Sequence, residues 1–320
     1  MEATEVDLTA PFGNGTLPNP VTTASGCAGY GRELAKFQPL TELGSITTKT
    51  IMPYPRAGRP TPRTAETPSG MLNAIGLQGS GIEHFVEHEL PWLAERGARV
   101  LVSIAGERVE EFAETAQHLA GRPGVVGIEA NISCPNVANR GLVFACNPAT
   151  SYDVIAAIRE VSDPGLPLYA KLTPDVTSIT EIAAACVRAG ADGLSMINTL
   201  LGMAIDTTTM RPALAGATGG LSGPAIRPVA VRCVYQVHAA MRAGTMPVVP
   251  ILGMGGIRTG LDALEFVLAG ASGIAVGTTI FNDPSAPLRV LGELRQALAE
   301  RGFPKFTDAV GYAHHQGVHS

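Results

Sequence analysis

A thiol and two amides stand close together in the run NISCPN at residues 131–136. The run follows a short apolar stretch at 125–128, so it is expected where a buried strand gives way to a loop. Asparagine side chains offer both a donor and an acceptor, which suits a flat ring that carries amides. A cysteine thiolate beside them can take a proton from carbon. We therefore consider Asn131, Cys134 and Asn136 candidate site residues, with Cys134 as a base. The alternative is that Cys134 is a small buried apolar residue, as free cysteines often are.

Composition narrows the class of protein. A chain of 320 residues can form one large α/β domain or two smaller ones. A net charge of −5 gives no electrostatic reason to expect nucleic acid or an anionic membrane as partner. The five cysteines lack CxxC spacing, which argues against a disulfide framework, a zinc site or an iron–sulphur cluster. The acidic first residues contain no apolar segment of a signal peptide, and no stretch is long enough to span a membrane. We expect a soluble, cytoplasmic protein without a metal.

One pattern repeats along the chain and indicates the fold. Short apolar, β-branched runs end in Gly, Asn or Ser, and a longer amphipathic stretch follows each of them. Strands are predicted at 20–24, 45–51, 99–104, 127–132, 168–172, 193–197, 247–252 and 273–276. Helical patterns lie between them at 109–119, 152–161, 179–189, 224–243 and 261–269. Within 179–189, a stripe of Ile182, Ala185, Cys186 and Ala189 should face the core.

Eight strand–helix units favour a closed (β/α)₈ TIM barrel over an open sheet. We predict a single domain over residues 1–320. A Gly13-Asn-Gly15 turn within the extension 1–18 should form a β-hairpin at the barrel floor. The polar tail 312–320 is expected to be disordered.

In such a barrel, chemistry lies at the carboxyl ends of the strands. The corners after strands seven and eight commonly bind a phosphate through backbone N–H groups. Glycines at both corners favour a phosphate site, although a single glycine pair would more often serve only a tight turn. Arg258 occupies the third glycine position of a GxGxxG template, so a dinucleotide site is not supported and a monophosphate such as FMN fits better. The strand-end residues are Ser25, Gly26, Lys49, Thr50, Ser103, Asn131, Lys171, Asn198, Thr199, Gly255, Gly256, Gly277 and Thr278.

Nine motifs together resemble the class 1 dihydroorotate dehydrogenase family, and they occur in the family's order over nearly the whole chain. They are NPVTTASG at 19–26, TKT at 48–50, PRTAETP at 62–68, GMLNAIGLQ at 70–78, NISCPN at 131–136, KLTP at 171–174, INTLLGM at 197–203, TGGLSGP at 218–224 and GMGG at 253–256. The runs at 198–203 and 219–224 resemble the catalytic subunit of the class 1B enzymes. Class 2 enzymes have serine where this chain has Cys134.

The resemblance implies FMN-dependent oxidation of (S)-dihydroorotate to orotate in pyrimidine biosynthesis. It implies that Cys134 takes the C5 proton, that N5 of FMN takes the C6 hydride, and that Lys171 stabilises the negative charge left on the flavin. It also implies that Lys49 contacts both molecules. For the substrate it implies Asn73, Ala74, Ile75, Gly76, Leu77, Asn131, Asn136, Asn198 and Thr199. For FMN it implies Ser25, Gly26, Lys49, Thr50, Ser103, Asn131, Lys171, Ile197, Gly223, Gly255, Gly256, Gly277 and Thr278. The family commonly has an asparagine where this chain has the shorter Ser103.

The class 1B resemblance further implies a homodimer and a partner subunit that carries FAD and a [2Fe–2S] cluster and passes electrons to NAD⁺ in a heterotetramer. Fumarate is the acceptor in the related class 1A. The competing interpretations are a dihydropyrimidine dehydrogenase-like FMN reductase, a dihydrouridine synthase and a cofactor-free (β/α)₈ aldolase or isomerase.

Three other features have plainer interpretations. His84 and His88 have the spacing of a metal pair, but acidic neighbours favour an exposed helix surface. The remaining cysteines, Cys27, Cys146, Cys186 and Cys233, are interpreted as packing residues. The aperiodic segment 137–147 is interpreted as a lid over the substrate.

Overall fold

The computed structural model describes residues 2–133 and 144–315. Eight parallel strands form a nearly closed barrel, and their side chains are buried on both faces, which explains the near-continuous apolar runs in the sequence. The predicted (β/α)₈ barrel is confirmed. In chain order, the barrel strands are Val21–Thr23, Ile46–Thr47, Val100–Ile104, Val125–Asn131, Leu168–Leu172, Gly193–Met196, Ile251–Met254 and Gly273–Val276.

Helices pack around the barrel and follow its strands. The stripe predicted on the helix Ile179–Arg188 is confirmed, since Ile182, Ala185 and Cys186 are all buried. The segment after the second strand contains a π-helical turn that joins two short α-helices. The helical elements of this outer layer are Gly81–His84, Phe85–Glu89, Leu90–Glu95, Val109–Gln117, Pro148–Val161, Ile179–Arg188, Arg227–Arg242, Gly260–Ala269, Ala286–Glu300 and Phe306–Ala309.

The predicted hairpin is present at the amino ends of the strands. Ala10–Phe12 pairs with Gly15–Leu17 in antiparallel fashion. The Phe12 ring stacks on Tyr169 of the fifth barrel strand at a centroid distance of 4.8 Å. The backbone N–H of Gly13 donates to the Tyr169 hydroxyl at 3.1 Å. The hairpin therefore closes the barrel floor and leaves the opposite end for chemistry.

A second sheet is built from two insertions that leave the carboxyl ends of the second and sixth barrel strands. It is antiparallel, and its strand order is Leu200–Met203, Thr218–Ser222, Gly70–Asn73 and Thr64–Thr67. Leu72, Ala74 and Leu214 form a small apolar core under it. This sheet was not predicted from the sequence. It places Asn73 at the same end of the barrel as Asn198, which precedes its strand Leu200–Met203.

The prediction of a disordered tail from residue 312 is wrong for residues 312–315. Tyr312–His314 forms a 3₁₀ turn. The His314 ring stacks on Tyr235 at 3.8 Å, and its Nε2–H donates to the carbonyl of Ala269 at 2.9 Å. These contacts fix the segment against two helices. Residues 316–320 lie outside the described part of the chain.

In the described residues, no helix is both long enough and apolar enough to cross a membrane.

Candidate functional site

Hydroxyl and amide side chains from the ends of four consecutive barrel strands form one hydrogen-bonded cluster, which we call the polar cluster: Ser25, Thr50, Ser103 and Asn131. The Thr50 hydroxyl lies 2.9 Å from Ser25 Oγ and 3.0 Å from Ser103 Oγ. Asn131 Nδ2 donates to Thr50 Oγ1 at 2.9 Å, and Ser133 donates to Asn131 Oδ1 at 3.0 Å. The structure thus brings together four residues that were predicted at strand ends and, from the resemblance, as ligands of FMN.

Ser103 has a supporting place in this cluster. Its side chain is fully buried, and its hydroxyl bonds to both Ser25 and Thr50. A longer asparagine at this position would extend beyond these two partners. The Ser103 hydroxyl therefore supports Ser25 and Thr50, and its direct contact with FMN stays a prediction.

Two lysines converge on the same end of the barrel. Lys171 is 3 % exposed, and its Nζ lies 3.7 Å from Glu129 Oε1. Lys49 is partly exposed at the end of the second strand. Burial raises the pKa of the Cys27 thiol to about 11, and the positive charges of Lys171 and Lys49 both oppose that shift. The two ammonium groups therefore act on one small region.

Glycines form a backbone cradle at the corners after the seventh and eighth strands. Gly255 and Gly256 have φ values of 135° and 76°, which favour glycine. A Cβ on Gly256 would lie 2.7 Å from the carbonyl oxygen of Gly223, whose own φ is 91°. At the neighbouring corner, Thr278 Oγ1 donates to Ser222 Oγ at 2.8 Å. The backbone segments at this corner therefore approach each other so closely that a side chain would not fit at Gly256.

The loop after the strand Gly70–Asn73 presents free backbone donors. Gly76 and Leu77 have φ values of 77° and 53°. The carbonyl of Ile75 accepts from the N–H of Arg59 at 3.0 Å, and the carbonyl of Gly76 accepts from Arg56 Nε at 2.9 Å. The N–H groups of Ile75, Gly76 and Leu77 donate to no other described residue. Two carbonyls of the loop are thus already paired, and its three N–H groups could bind an anion.

The side chains of Asn73 and Asn198 each donate to a backbone carbonyl. Asn73 Nδ2 donates to the carbonyl of Gly220 at 3.3 Å, and Asn198 Nδ2 donates to the carbonyl of Ser133 at 3.1 Å. A Cβ on Gly220 would lie 2.1 Å from Thr199 Oγ1, so Thr199 packs directly on the added sheet. Ile197 is buried after the sixth strand, and its N–H donates to the carbonyl of Met254 at 3.1 Å.

Cys134 and Asn136 lie outside the described residues, as does most of the predicted lid 137–147. At the end of that segment, Phe144–Cys146 forms a 3₁₀ turn and Asn147 caps the helix Pro148–Val161. The interpretation of 137–147 as a lid stays a prediction. The adjoining residues Asn131 and Ser133 have the contacts given above.

The structure agrees with the interpretation of the histidine pair as an exposed helix surface, and with the interpretation of the cysteines as packing residues except at Cys146. His84 and His88 are exposed on a helical surface, where their rings stack at 4.5 Å. Cys186 and Cys233 are buried, as packing residues should be, and Cys27 is partly buried. Cys146 is exposed, so its interpretation as a packing residue is wrong.

Comparison with known proteins decides the family. The family described as "Dihydroorotate dehydrogenase" matches residues 7–298. The chain belongs to the dihydroorotate dehydrogenase family. It is 47 % identical over 305 residues to a protein of Geobacillus sp. (strain WCH70) named "Dihydroorotate dehydrogenase B (NAD(+)), catalytic subunit", with 95 % of each chain covered. Proteins of the same name from Bacillus thuringiensis (strain Al Hakam) and Bacillus cereus (strain AH187) are 48 % identical over 305 residues, which is 95 % of this chain and 96 % of theirs.

This family member carries one charged residue at the site that the sequence analysis missed. Glu129 lies fully buried beneath Asn131, on the same strand and beside Lys171. The signal was available, because a carboxylate within the apolar run 125–130 needs a partner when it is buried.

Proposed function

We propose that this chain oxidises (S)-dihydroorotate to orotate, with FMN as its resident cofactor. The observation that carries the proposal is the loop in which the N–H groups of Ile75, Gly76 and Leu77 donate to no described residue. Dihydroorotate bears a carboxylate on its ring, and three consecutive backbone donors suit a carboxylate. A neutral pyrimidine such as uracil would leave these donors without an acceptor, which counts against the dihydropyrimidine dehydrogenase-like alternative.

The described residues fit FMN. The glycine cradle at Gly223, Gly255 and Gly256 offers the close backbone approach that a phosphate needs, and a Cβ at any of these glycines would lie within 3 Å of another atom. The remaining proposed ligands of FMN are Ser25, Gly26, Lys49, Thr50, Ser103, Asn131, Lys171, Ile197, Gly277 and Thr278. When bound, FMN supplies the two-electron acceptor that takes the hydride from C6.

The chain's own residues would handle the proton and the charge. Cys134, as a thiolate, removes the C5 proton while the hydride leaves C6, so that the C5–C6 double bond of orotate forms. Lys171 supplies positive charge where reduction leaves negative charge on the cofactor. The remaining proposed residues hold the substrate ring or its carboxylate and fix its orientation: Lys49, Asn73, Ala74, Asn131, Asn136, Asn198 and Thr199.

The first test is the flavin content of the purified chain and its turnover of dihydroorotate with a dye as acceptor. Cys134→Ala should retain FMN and lose about 10²- to 10⁴-fold in rate, because it removes the base. Cys134→Ser should be slow at neutral pH and gain rate as the pH rises, since an alcohol is a weaker acid than a thiol.

Cys186→Ala is the matched control, because it removes an equally small thiol from the helix layer, where Cys186 is buried. It should keep both FMN and turnover. Near-normal turnover by Cys134→Ala would refute the assignment of the base, and a chain without flavin would refute the proposal as a whole.

We propose NAD⁺ as the final acceptor, reached through a partner subunit with FAD and a [2Fe–2S] cluster. The support is the name of the relatives, which couples NAD⁺ to a catalytic subunit. The isolated chain should then reduce dyes but not NAD⁺, and addition of the electron-transfer subunit should confer NAD⁺ reduction. Rapid NAD⁺ reduction by the chain alone would contradict this, and efficient fumarate reduction would indicate class 1A.

We also propose a homodimer. The strand Leu200–Met203 of the added sheet and the short strand Ile205–Asp206 that follows it leave Leu201, Met203 and Ile205 exposed, with exposed fractions of 58, 51 and 53 %. Sedimentation of the isolated chain at micromolar concentration should give twice the mass of one chain, and a single-chain mass would refute the dimer.

A further inference from the structure

Glu129 is a carboxylate enclosed in the barrel directly below the site. It lies on the fourth barrel strand two residues before Asn131, so both side chains lie on the same face of the strand and point into the barrel. Its register partners are Ser103 on the third strand and Tyr169 on the fifth. The side chain has no exposed surface.

The partner of this carboxylate is the lysine of the site. Lys171 Nζ lies 3.7 Å from Glu129 Oε1, and neither carboxylate oxygen receives a hydrogen bond from the described residues. Ser195 Oγ, which is also fully buried and lies on the strand next to Lys171, has no described hydrogen-bond partner either. A buried charge without hydrogen bonds is costly unless an opposite charge offsets it. The ammonium of Lys171 provides that offset.

The pair is asymmetric with respect to the site. Lys171 is near the carboxyl end of its strand and in register with Asn131, whereas Glu129 lies one inward-facing position deeper. A ligand above the barrel therefore meets the positive member first. The field that reaches it is the sum of a near positive charge and a more distant negative one.

We propose that Glu129 is a positioning residue that holds the Lys171 ammonium at the site and offsets part of its charge, thereby setting how strongly the barrel favours a reduced cofactor. The inference rests on the proposed function, because it assigns Lys171 a role toward FMN. It predicts opposite signs for the two members of the pair. Loss of the carboxylate should make FMN easier to reduce, and loss of the ammonium should make it harder to reduce.

The experiment compares the midpoint potential of bound FMN in the wild type, Glu129→Gln, Lys171→Gln and the double variant. Glu129→Gln should raise the potential, and we expect at least a tenfold change in the ratio of reduced to oxidised FMN, which is about 30 mV for a two-electron couple. Lys171→Gln should lower it. The double variant should have a higher potential than Lys171→Gln. If Glu129→Gln alone does not fold, the effect of the carboxylate is read from this second comparison. Glu129→Asp keeps the charge and should restore a potential close to the wild type.

Asp192→Asn is the matched control. Asp192 forms an ion pair with Arg159 at 3.2 Å at the amino end of the sixth strand, on the far side of the barrel from the site. Asp192→Asn removes one negative charge, as Glu129→Gln does, and should leave the midpoint potential of FMN unchanged. An unchanged or lower potential in Glu129→Gln, or an equal shift in Asp192→Asn, would overturn the inference.

A second readout needs no flavin. In the apoprotein, thermal unfolding of the same four chains forms a double-mutant cycle. Lys171→Gln should lower the melting temperature more when Glu129 is present than when Gln is at position 129, because it leaves a buried carboxylate unpaired. Additive effects would overturn the pairing. If the chain binds no FMN, the proposed function fails, and this cycle still tests the pair.

Discussion

At the scale of single residues, Thr50 is where the polar cluster converges. Its hydroxyl bonds to Ser25, Ser103 and Asn131 at distances from 2.9 to 3.0 Å, although the side chain is only 4 % exposed. Three strand ends therefore depend on one hydroxyl for their relative positions. A change at Thr50 should act on ligand binding more than on the barrel itself, because backbone ladders also join the second, third and fourth strands.

We expect Thr50→Val to weaken FMN binding by about tenfold or more, since a buried Asn131 amide left without its acceptor costs about 1 to 3 kcal/mol. Fluorescence titration of the apoprotein with FMN measures the effect. Thr115→Val is the matched control, because this buried hydroxyl donates to the carbonyl of Glu111 at 2.7 Å within a helix of the outer layer. Equal loss of FMN affinity in both variants would show that the Thr50 effect is one of general stability.

Much of the candidate site could be predicted from residue types and their positions at strand ends. Lys171 and Asn131 were predicted as strand ends, and the structure aligns them on adjacent strands. Glu129 was missed because the sequence shows a charge within an apolar run but not that Lys171 on the neighbouring strand lies close enough to offset it. The roles of Cys134 and Asn136 stay predictions.

At the scale of elements, the barrel closes by side chains where the first and second strands meet. Backbone ladders join the other neighbouring strands, from the second strand round to the first. At this junction, Thr23 Oγ1 donates to the carbonyl of Thr47 and accepts from its N–H, both at 3.1 Å. Thr22 Oγ1 lies 3.2 Å from Thr47 Oγ1 and accepts from Ser45 at 2.9 Å. Hydroxyl groups thus replace the missing ladder.

We expect Thr23→Val to lower the free energy of unfolding by about 2 to 4 kcal/mol, because it removes two buried hydrogen bonds and leaves the N–H and C=O of Thr47 unsatisfied. Urea unfolding followed by circular dichroism measures it. Thr16→Val, on the exposed face of the floor hairpin, makes the same chemical change and should stay within about 0.5 kcal/mol of the wild type. A similar small loss in Thr23→Val would show that the junction does not depend on this hydroxyl.

The barrel strands could be predicted because strands that are buried on both faces appear in the sequence as short, nearly continuous apolar runs. The added sheet could not, because its strand Thr218–Ser222 is rich in glycine and shows no alternation of apolar and polar residues. It also pairs with Gly70–Asn73, about 150 residues away in the chain, and local sequence carries no information about that pairing.

At the scale of the whole molecule, a cluster of rings attaches the end of the chain to the outer layer. His238 on the helix Arg227–Arg242 lies between two glycines of positive φ, and a Cβ on Gly270 or Gly311 would lie 2.3 Å from its ring. The His314 ring lies 4.6 Å from that of His238. Polar composition alone predicted disorder for this end of the chain. It does not reveal that Gly311 and His314 pack against the His238 ring on another helix.

This arrangement predicts a pH-dependent stability. Burial, together with the positive charges of His314 and Arg242, lowers the pKa of His238 from 6.5 to about 4. Between these values the unfolded chain binds a proton that the folded chain does not bind. The contribution of His238 to the free energy of unfolding is therefore complete above pH 6.5, declines as the pH falls toward 4, and is lost below it.

Between about pH 7 and pH 4, we expect the free energy of unfolding of the wild type to fall by about 1 to 2 kcal/mol more than that of His238→Phe. The expected difference is small because the ring is only half-buried and solvent screens its charge. Phenylalanine keeps a ring between the two glycines but cannot be protonated. Urea unfolding of both chains across this range measures the difference, and the acidic residues common to both cancel in the comparison. Parallel declines for the two chains would mean that His238 has the same affinity for a proton in the folded and the unfolded state, and that the ring cluster stabilises the C-terminal segment by packing alone.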